Sequence, residues 1–242
     1  MTPEEFRQAL AKQGIQLTNH QMNQFAQYYQ DLVATNRVVN LTRITDEEEV
    51  YLKHFYDSIT GSFAFTELQT APLRLCDIGA GAGFPSLPLK IAFPQLKVTI
   101  VDSLNKRINF LAELVERLGL NDVKLVHSRA EDFSKRGSNN REAYDVVTAR
   151  AVARLTVLSE LCLPAVKVGG IFLAYKAQAA EDELLAASQA IKKLGGQERT
   201  VYSLELPTAP EPEERNLVII DKLTATPQKY PRRAGLPAKK PL

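Results

Sequence analysis

The chain has 242 residues, of which 45% are apolar, and a formal net charge of +2 at pH 7. This length fits one large α/β domain with a small appendage, and the small net charge gives no sign of a polyanionic partner. Two cysteines cannot form a disulfide framework. No run reaches the ~20 apolar residues of a membrane span, and the acid-containing start of the chain is unlike a signal peptide, so we expect a cytoplasmic protein.

The first part of the chain carries the start signals of three helices. Thr2, Thr18 and Thr45 are each followed three residues later by Glu or Gln, which is the spacing of a capping box. Apolar residues at helical spacing follow each signal. We therefore predict that residues 1–68 form an N-terminal helical cap.

From Pro72 onward, short β-rich runs alternate with helical patterns. Alternation of this kind predicts a parallel sheet covered by helices. No long helix separates the last two strands, so we expect them to form a hairpin. The predicted fold is α/β, a doubly wound seven-stranded sheet that is mostly parallel with one antiparallel strand. It occupies residues 69–223, with strands at 73–78, 97–101, 123–127, 144–148, 171–175, 199–206 and 216–221, and helices that include 104–118, 155–166 and 181–194.

The end of the chain, residues 224–242, is predicted to be a basic, proline-rich tail. Residues 222–242 hold six basic residues and no acid, whereas the rest of the chain has 24 basic and 28 acidic residues. Positive charge on a stiff, extended backbone suits contacts with RNA phosphates. A disordered tail that only adds solubility is an equal alternative.

The segment 77–85, Asp-Ile-Gly-Ala-Gly-Ala-Gly-Phe-Pro, follows the first predicted strand. In an open α/β sheet this turn lies at the carboxyl ends of the strands, where ligands bind. Asp102 ends the second strand, and a carboxylate there can accept both hydroxyls of a ribose. The spacing G-x-G-x-G differs from the nicotinamide fingerprint, and Asp77 suits a cationic ligand better than a pyrophosphate. We favour S-adenosylmethionine over a dinucleotide, with a turn that serves only packing as the third possibility.

Further candidates follow the later strands. Residues 128–132 are placed to bond an adenine amino group, although an acid-rich helix start is an equal interpretation. Arg150 follows the fourth strand, where it could position substrate or a carboxylate, with a surface ion pair as the alternative. Lys176 follows the fifth strand and is a weaker candidate for the same reason. The three histidines lack metal spacing. No residue is an obvious general base, which favours a methyl acceptor with a free lone pair, such as guanine N7.

Taken together, these motifs resemble the RsmG (GidB) family of bacterial methyltransferases, which act on N7 of a guanine in 16S ribosomal RNA. The resemblance covers nearly the whole chain. Gly83-Phe84-Pro85 and Arg150-Ala151 are specific to the family, and Ala177 departs from its usual glycine. The other matching segments are 40–42, 54–58, 129–131, 150–153, Lys176 and the closing Tyr-Pro-Arg-Arg-x-Gly.

The resemblance implies S-adenosylmethionine as cofactor and 16S rRNA or the small ribosomal subunit as partner. We also expect a monomer that needs no metal and no membrane. The alternatives are a methyltransferase of another RNA, a protein or a small molecule, and a non-catalytic RNA-binding assembly factor. The predicted cofactor-binding residues are Asp77, Gly79, Gly81, Phe84, Asp102, Leu104, Ala130, Glu131 and Arg150, with Arg150 also catalytic; the predicted RNA-contacting residues are Asn40, His54, Lys176, Arg232 and Arg233.

Overall fold

A computed structural model describes residues 1–150, 152–177, 180–208 and 211–242, so Ala151 of the Arg150-Ala151 motif lies outside the described residues. The strands are β1 (Arg74–Ile78), β2 (Lys97–Asp102), β3 (Val123–His127), β4 (Tyr144–Arg150), β5 (Val166–Lys176), β6 (Gly196–Leu206) and β7 (Glu213–Lys222). They form one seven-stranded sheet in the order β3-β2-β1-β4-β5-β7-β6. Strand β7 runs antiparallel to both of its neighbours, and the pairings among β1 to β5 are parallel. The predicted fold class is confirmed.

Helices cover both faces of this sheet and precede it. The described helices are α1 (Pro3–Lys12), α2 (Asn19–Val39), α3 (Glu47–Val50), a π-helix (Tyr51–Tyr56), α4 (Asp57–Ile59), α5 (Gly61–Ala64), α6 (Glu67–Thr70), α7 (Ser86–Ala92), α8 (Asn105–Arg117), α9 (Ala130–Phe133), α10 (Leu155–Cys162), a 3-10 turn (Leu163–Ala165), α11 (Ala180–Lys193) and α12 (Leu236–Lys239). In the part of the chain that the structure describes, no helix has both the length and the apolar character needed to cross a bilayer.

The first two helices begin where the capping signals predicted. Thr2 and Thr18 each accept a hydrogen bond from the backbone three residues on, and the reciprocal side-chain bond is present in both boxes. The third signal was wrong by one residue. Asp46, not Thr45, caps α3, because its carboxylate accepts from the amide of Glu49, and a carboxylate at this position also interacts favourably with the helix dipole.

The two faces of the sheet bury separate apolar clusters. The cluster on one face joins α1 and α2 to inward side chains of the strands, from Phe6 to Ile219. The cluster on the other face packs α10 and α11 against alternate strand residues such as Val147 and Phe172. Since successive strand residues point to opposite faces, the same strands supply both clusters and leave their carboxyl ends free to form a site.

Strand β5 begins earlier than the sequence pattern predicted. The helix expected at 155–166 ends at Cys162, and β5 starts at Val166 rather than at 171. Gly169 and Gly170 lie inside the strand, and because glycine is uncommon in strand interiors the pattern did not indicate its first half. At Gly170 a Cβ would lie 2.5 Å from the carbonyl oxygen of Asp145, because β5 approaches β4 closely where their register shifts.

The segment after β7 packs against the body of the protein. Arg141 donates hydrogen bonds to the carbonyl oxygens of Tyr230 and Thr226, at 2.6 and 2.7 Å. The Tyr230 side chain is buried. Residues 223–242, here called the tail segment, therefore have a defined path across the protein surface.

Candidate active site

A crevice of about 370 Å³ lies at the carboxyl ends of β1 to β4, within the size range of small-molecule sites. It is lined by Gly79 after β1, Asp102 at the end of β2, and Ala130 and Glu131 after β3. All four residues were predicted to bind the cofactor. The chain after β4 adds Val152 and Ala153, so the crevice forms where the strand order reverses.

The carboxylate of Asp102 is fixed at the crevice by three donors. Its Oδ1 accepts from the backbone amide of Leu104 at 2.9 Å, and its Oδ2 accepts from the amide of Gly81 at 3.1 Å and from Arg107 at 3.2 Å. A carboxylate has about four acceptor positions, and the partly exposed Arg107 can give way to a ligand hydroxyl. This geometry suits the ribose contact predicted for Asp102.

The glycines of the turn have different tasks. Gly81 has φ +61°, and no described atom lies within 4 Å of where its Cβ would be, so it leaves free space beside Asp102. At Gly83, with φ +101°, a Cβ would lie 2.7 Å from both the Tyr28 hydroxyl and the Leu87 side chain. Gly81 therefore fits close approach of a ligand, whereas Gly83 allows the turn to pack against α2.

Asp77 is fully buried behind the turn. Burial raises the pKa of its carboxyl to about 7, against the opposing effects of hydrogen bonds from Ser86 and the charge of Arg150. Its Oδ2 accepts from the Ser86 amide at 3.1 Å, and its Oδ1 has no hydrogen-bond partner among the described residues. A buried carboxylate with a free oxygen favours a nearby positive charge. Asp77 does not itself line the crevice, so it would act on a bound cation from behind the turn, whereas Asp102 offers acceptors that fit the sugar of a nucleoside such as S-adenosylmethionine.

A second cavity, of about 550 Å³, lies at the carboxyl ends of β4 and β5 and is also lined by residues of the N-terminal cap. Arg150, His54 and Lys176 all line it, so the structure places Arg150 in this second cavity rather than among the residues that line the crevice. Its guanidinium donates to Asp57 at 2.7 Å, to the Lys53 carbonyl at 3.1 Å and to His54 Nδ1 at 3.2 Å. Arg150 therefore forms a buried ion pair in the wall of this cavity. The sequence had indicated either a positioning residue or an ion pair at the surface.

His54 is held neutral with both ring nitrogens in use. Burial, together with the charge of Arg150, lowers its pKa to about 3. Because Arg150 can only donate, Nδ1 must accept, so Nε2 carries the proton and faces the Thr42 hydroxyl at 2.8 Å. His54 therefore orders the cavity wall and offers no free base.

Phe84, predicted to bind the cofactor, does not line the crevice and instead packs between the cap and the second cavity. Its ring stacks on His54 at 4.5 Å and on Tyr28 of α2 at 5.4 Å between centroids. The Arg150 guanidinium lies 5.0 Å from the same ring centroid, a cation–π contact. The structure thus places Phe84 in a stack that supports the turn and the second cavity.

The remaining predicted residues lie around these two sites. Leu104 begins α8 and contributes its backbone amide to Asp102. Asn40 ends α2 with φ 52°, on the loop that carries Thr42 to His54. Lys176 forms an ion pair of 2.7 Å with Glu183. In the tail segment Arg233 is exposed, whereas Arg232 is paired with the buried Glu160, so only Arg233 presents a free face to solvent at this point.

Sequence reasoning missed several residues of the two sites. Arg107, Gly235 and Ala238 line the crevice, and Asp57 and Arg215 line the second cavity. Two of these residues had a signal in the sequence: Gly235 closes the Tyr-Pro-Arg-Arg-x-Gly motif, and Asp57 lies in the matching segment 54–58. In the described parts of the chain, no group of three or more His, Cys, Asp or Glu side chains is arranged to hold a metal ion.

Solved structures with similar coordinates show the same fold. A putative transferase from Pyrococcus horikoshii is similar over 69% of this chain and 64% of its own, with a TM-score of 0.54 and 17% identity. M. jannaschii TYW2 in complex with AdoMet is similar over 69% of this chain and 77% of its own, with a TM-score of 0.51 and 14% identity. The doubly wound sheet of this chain has the fold of these proteins, and its glycine turn and Asp102 lie at the crevice where ligands bind in such sheets.

Sequence comparison identifies the family. The family model described as rRNA small subunit methyltransferase G matches residues 21–218. The protein named ribosomal RNA small subunit methyltransferase G from Limosilactobacillus fermentum is 70% identical over 100% of this chain and 99% of its own. Its namesake from Lactiplantibacillus plantarum is 58% identical over 100% of this chain and 98% of its own. The chain belongs to the rRNA small subunit methyltransferase G family, which confirms the resemblance seen in the sequence.

Proposed function

We propose that this chain transfers the methyl group of S-adenosylmethionine to N7 of a guanine in 16S rRNA, in the cytoplasm. The names of its relatives support small-subunit rRNA as the substrate. The observation that carries the choice of acceptor is the second cavity, where the imidazole of His54 is neutral and bonded at both nitrogens. Guanine N7 has an in-plane lone pair and needs no deprotonation before it attacks.

Residues that line the crevice, together with Asp77 behind the turn, divide the cofactor between them. Asp102 would hold the ribose hydroxyls, the segment of Ala130 and Glu131 would face the adenine, and Asp77 would favour the positive end. When bound, S-adenosylmethionine supplies an electrophilic methyl group on a good leaving group, so the reaction needs no metal. One chain carries both cavities, which is consistent with action as a monomer.

Catalysis by the protein is then positioning and electrostatics. Arg150 borders the second cavity and is held rigid by Asp57, His54 and the ring of Phe84. From there its remaining donor capacity can hold the guanine or its phosphate in line with the methyl donor. The base must be unpaired or turned out of its stack to enter such a cavity.

Mass spectrometry of rRNA from a deletion strain tests the proposed reaction. We expect 7-methylguanosine to disappear from one position of 16S rRNA and to return when the chain is supplied again. Unchanged 7-methylguanosine would refute the activity and favour a binding-only assembly role. Methylation of a protein or small molecule by the purified chain, with none of RNA, would support the second alternative.

Arg150→Ala tests the role of the second cavity. Asp57 keeps Arg215 as a second cation at 3.2 Å, so the substitution does not leave its carboxylate unpaired. We expect methyl transfer to fall by about 100-fold while RNA affinity changes little, the pattern of an interaction used in the transition state. The exposed Arg154 provides the matched Arg154→Ala control, and an equal loss of transfer and RNA binding would make Arg150 a simple phosphate contact.

A further inference from the structure

The tail segment forms one side of the crevice. Gly235 and Ala238, from the end of the chain, line it together with Asp102 and Arg129. The backbone amide of Gly235 donates to Glu131 Oε1 at 2.7 Å, a hydrogen bond between residues 104 positions apart. The carboxylate of Glu131 therefore holds the tail segment at the crevice.

A buried ion pair fixes this position. Glu160 on α10 has no exposed side-chain surface. Its two oxygens accept from the backbone amide of Arg232 at 2.8 Å and from its guanidinium at 2.9, 3.0 and 2.5 Å. Val157 and Leu161 of the same helix line the crevice, so the ion pair joins the tail segment to a helix that already forms part of the site.

The first part of the tail segment is held in place by contacts other than the ion pair of Arg232 and Glu160. Lys222 is buried and donates to the Leu163 carbonyl at 2.6 Å, and Thr226 donates its amide to Glu142 at 2.6 Å. Together with the hydrogen bond from Arg141 to the Tyr230 carbonyl, these bonds hold residues 222–230 in place. None of them involves Arg232. Breaking the pair of Arg232 and Glu160 should consequently release only the last part of the chain.

We propose that the tail segment is a wall of the cofactor site and that Arg232 and Glu160 are its positioning residues. This inference rests on the proposed use of S-adenosylmethionine. It changes the expected effect of removing the tail: a chain that ends before Lys229 loses cofactor affinity as well as any RNA contact made by Arg233, Lys239 and Lys240. Loss of methylation in such a truncated chain is therefore no evidence that the tail binds RNA.

Calorimetry of the full chain with S-adenosylhomocysteine, without RNA, tests the wall. We expect Arg232→Gln to weaken binding by about tenfold, equal to about 1.4 kcal/mol, because the wall must be ordered again on binding. Arg233→Gln is the matched control, since it removes the same charge from the neighbouring, exposed residue. Its affinity should equal that of the wild type. The conservative replacement Arg232→Lys keeps the positive charge and should retain part of the affinity that Arg232→Gln loses.

A second pair of variants keeps the ion pair intact. Ala238→Leu enlarges a side chain that lines the crevice, and Ala234→Leu makes the same change at an exposed position that does not line it. We expect only Ala238→Leu to alter affinity, with both proteins retaining the wild-type Tm. If the wild type binds and both Arg232→Gln and Ala238→Leu bind equally well, the wall is refuted and the cofactor site stands. Should Arg232→Gln fail to fold, Ala238→Leu decides alone. Failure of the wild type to bind at all would overturn the cofactor and the wall together.

Discussion

The carboxylate of Asp102 has a structural task in addition to its proposed contact with the cofactor. It accepts hydrogen bonds from two backbone amides of the surrounding turns and from Arg107. Because this carboxylate is the acceptor assigned to the ribose hydroxyls in the proposed pose, neutralising it should act on cofactor affinity before it acts on the fold.

We expect Asp102→Asn to weaken S-adenosylhomocysteine binding by roughly 10- to 100-fold, since hydrogen bonds to a charged group contribute about 1.5–3 kcal/mol. Calorimetry measures the change directly. Asp132→Asn makes the same replacement at an exposed acid and should bind normally. Equal affinities of the two variants would remove Asp102 from the site.

Asp77 makes the stability of the ligand-free protein depend on pH. The pKa of its carboxyl is about 7 in the folded chain against a reference of 3.8. Between these values the folded chain keeps a proton that the unfolded chain releases, so the free energy of unfolding falls as the pH rises from about 4 to 7. Above about pH 7 both the folded and the unfolded chain have released this proton, so Asp77 causes no further change in the free energy of unfolding.

Asp77→Asn should remove this dependence, because an amide in the same place does not titrate and its oxygen can still accept from Ser86. Thermal unfolding between about pH 5 and pH 8 should show the wild-type Tm falling relative to that of the variant. Parallel curves would mean that Asp77 is ionised at low pH in the folded chain.

At the scale of elements, the glycine turn contains its own matched test. Both Gly81 and Gly83 have positive φ, so alanine costs about 1–2 kcal/mol of backbone strain at either one. Only at Gly83 would the new Cβ also meet Tyr28 and Leu87, at 2.7 Å.

We expect Gly83→Ala to lower the Tm by several degrees more than Gly81→Ala, since strain and overpacking add there. Gly81→Ala should retain the fold and lose cofactor affinity, because its methyl group occupies free space beside Asp102. Calorimetry and thermal unfolding of the two variants separate these effects. The reverse order of Tm values would contradict the assignment of tasks.

Elements whose signals are local were predictable, and those that depend on distant contacts were not. The capping boxes at Thr2 and Thr18 and the position of Asp102 after a strand follow from a few neighbouring residues. The early start of β5 depends on how closely Gly170 approaches β4, which no local pattern contains. Gly235 reaches the crevice only because the folded chain brings it to Glu131. Arg150 likewise contacts His54, a residue 96 positions away in the sequence.

At the scale of the whole molecule, the helical cap shares its core with the sheet. One apolar cluster runs from α1 to β7. The Tyr28 hydroxyl of α2 donates to the Ala82 carbonyl in the glycine turn at 2.6 Å. The cap therefore supports the glycine turn directly.

We expect cap and sheet to unfold together in one transition, because neither buries its apolar face without the other. Circular dichroism and tyrosine fluorescence should give the same midpoint, and S-adenosylhomocysteine should raise both by the same amount. An earlier loss of helical signal, unaffected by the ligand, would show that residues 1–68 unfold on their own.

The order of synthesis gives the tail segment a further significance. All seven described strands are complete at Lys222, whereas Gly235 and Ala238, which line the crevice, are added later. In the proposed mode of binding, the sequence of the described sheet is therefore finished before the residues that close the cofactor site are made. A stop codon directly after Lys222 would keep the sequence of every described strand and remove one side of the crevice.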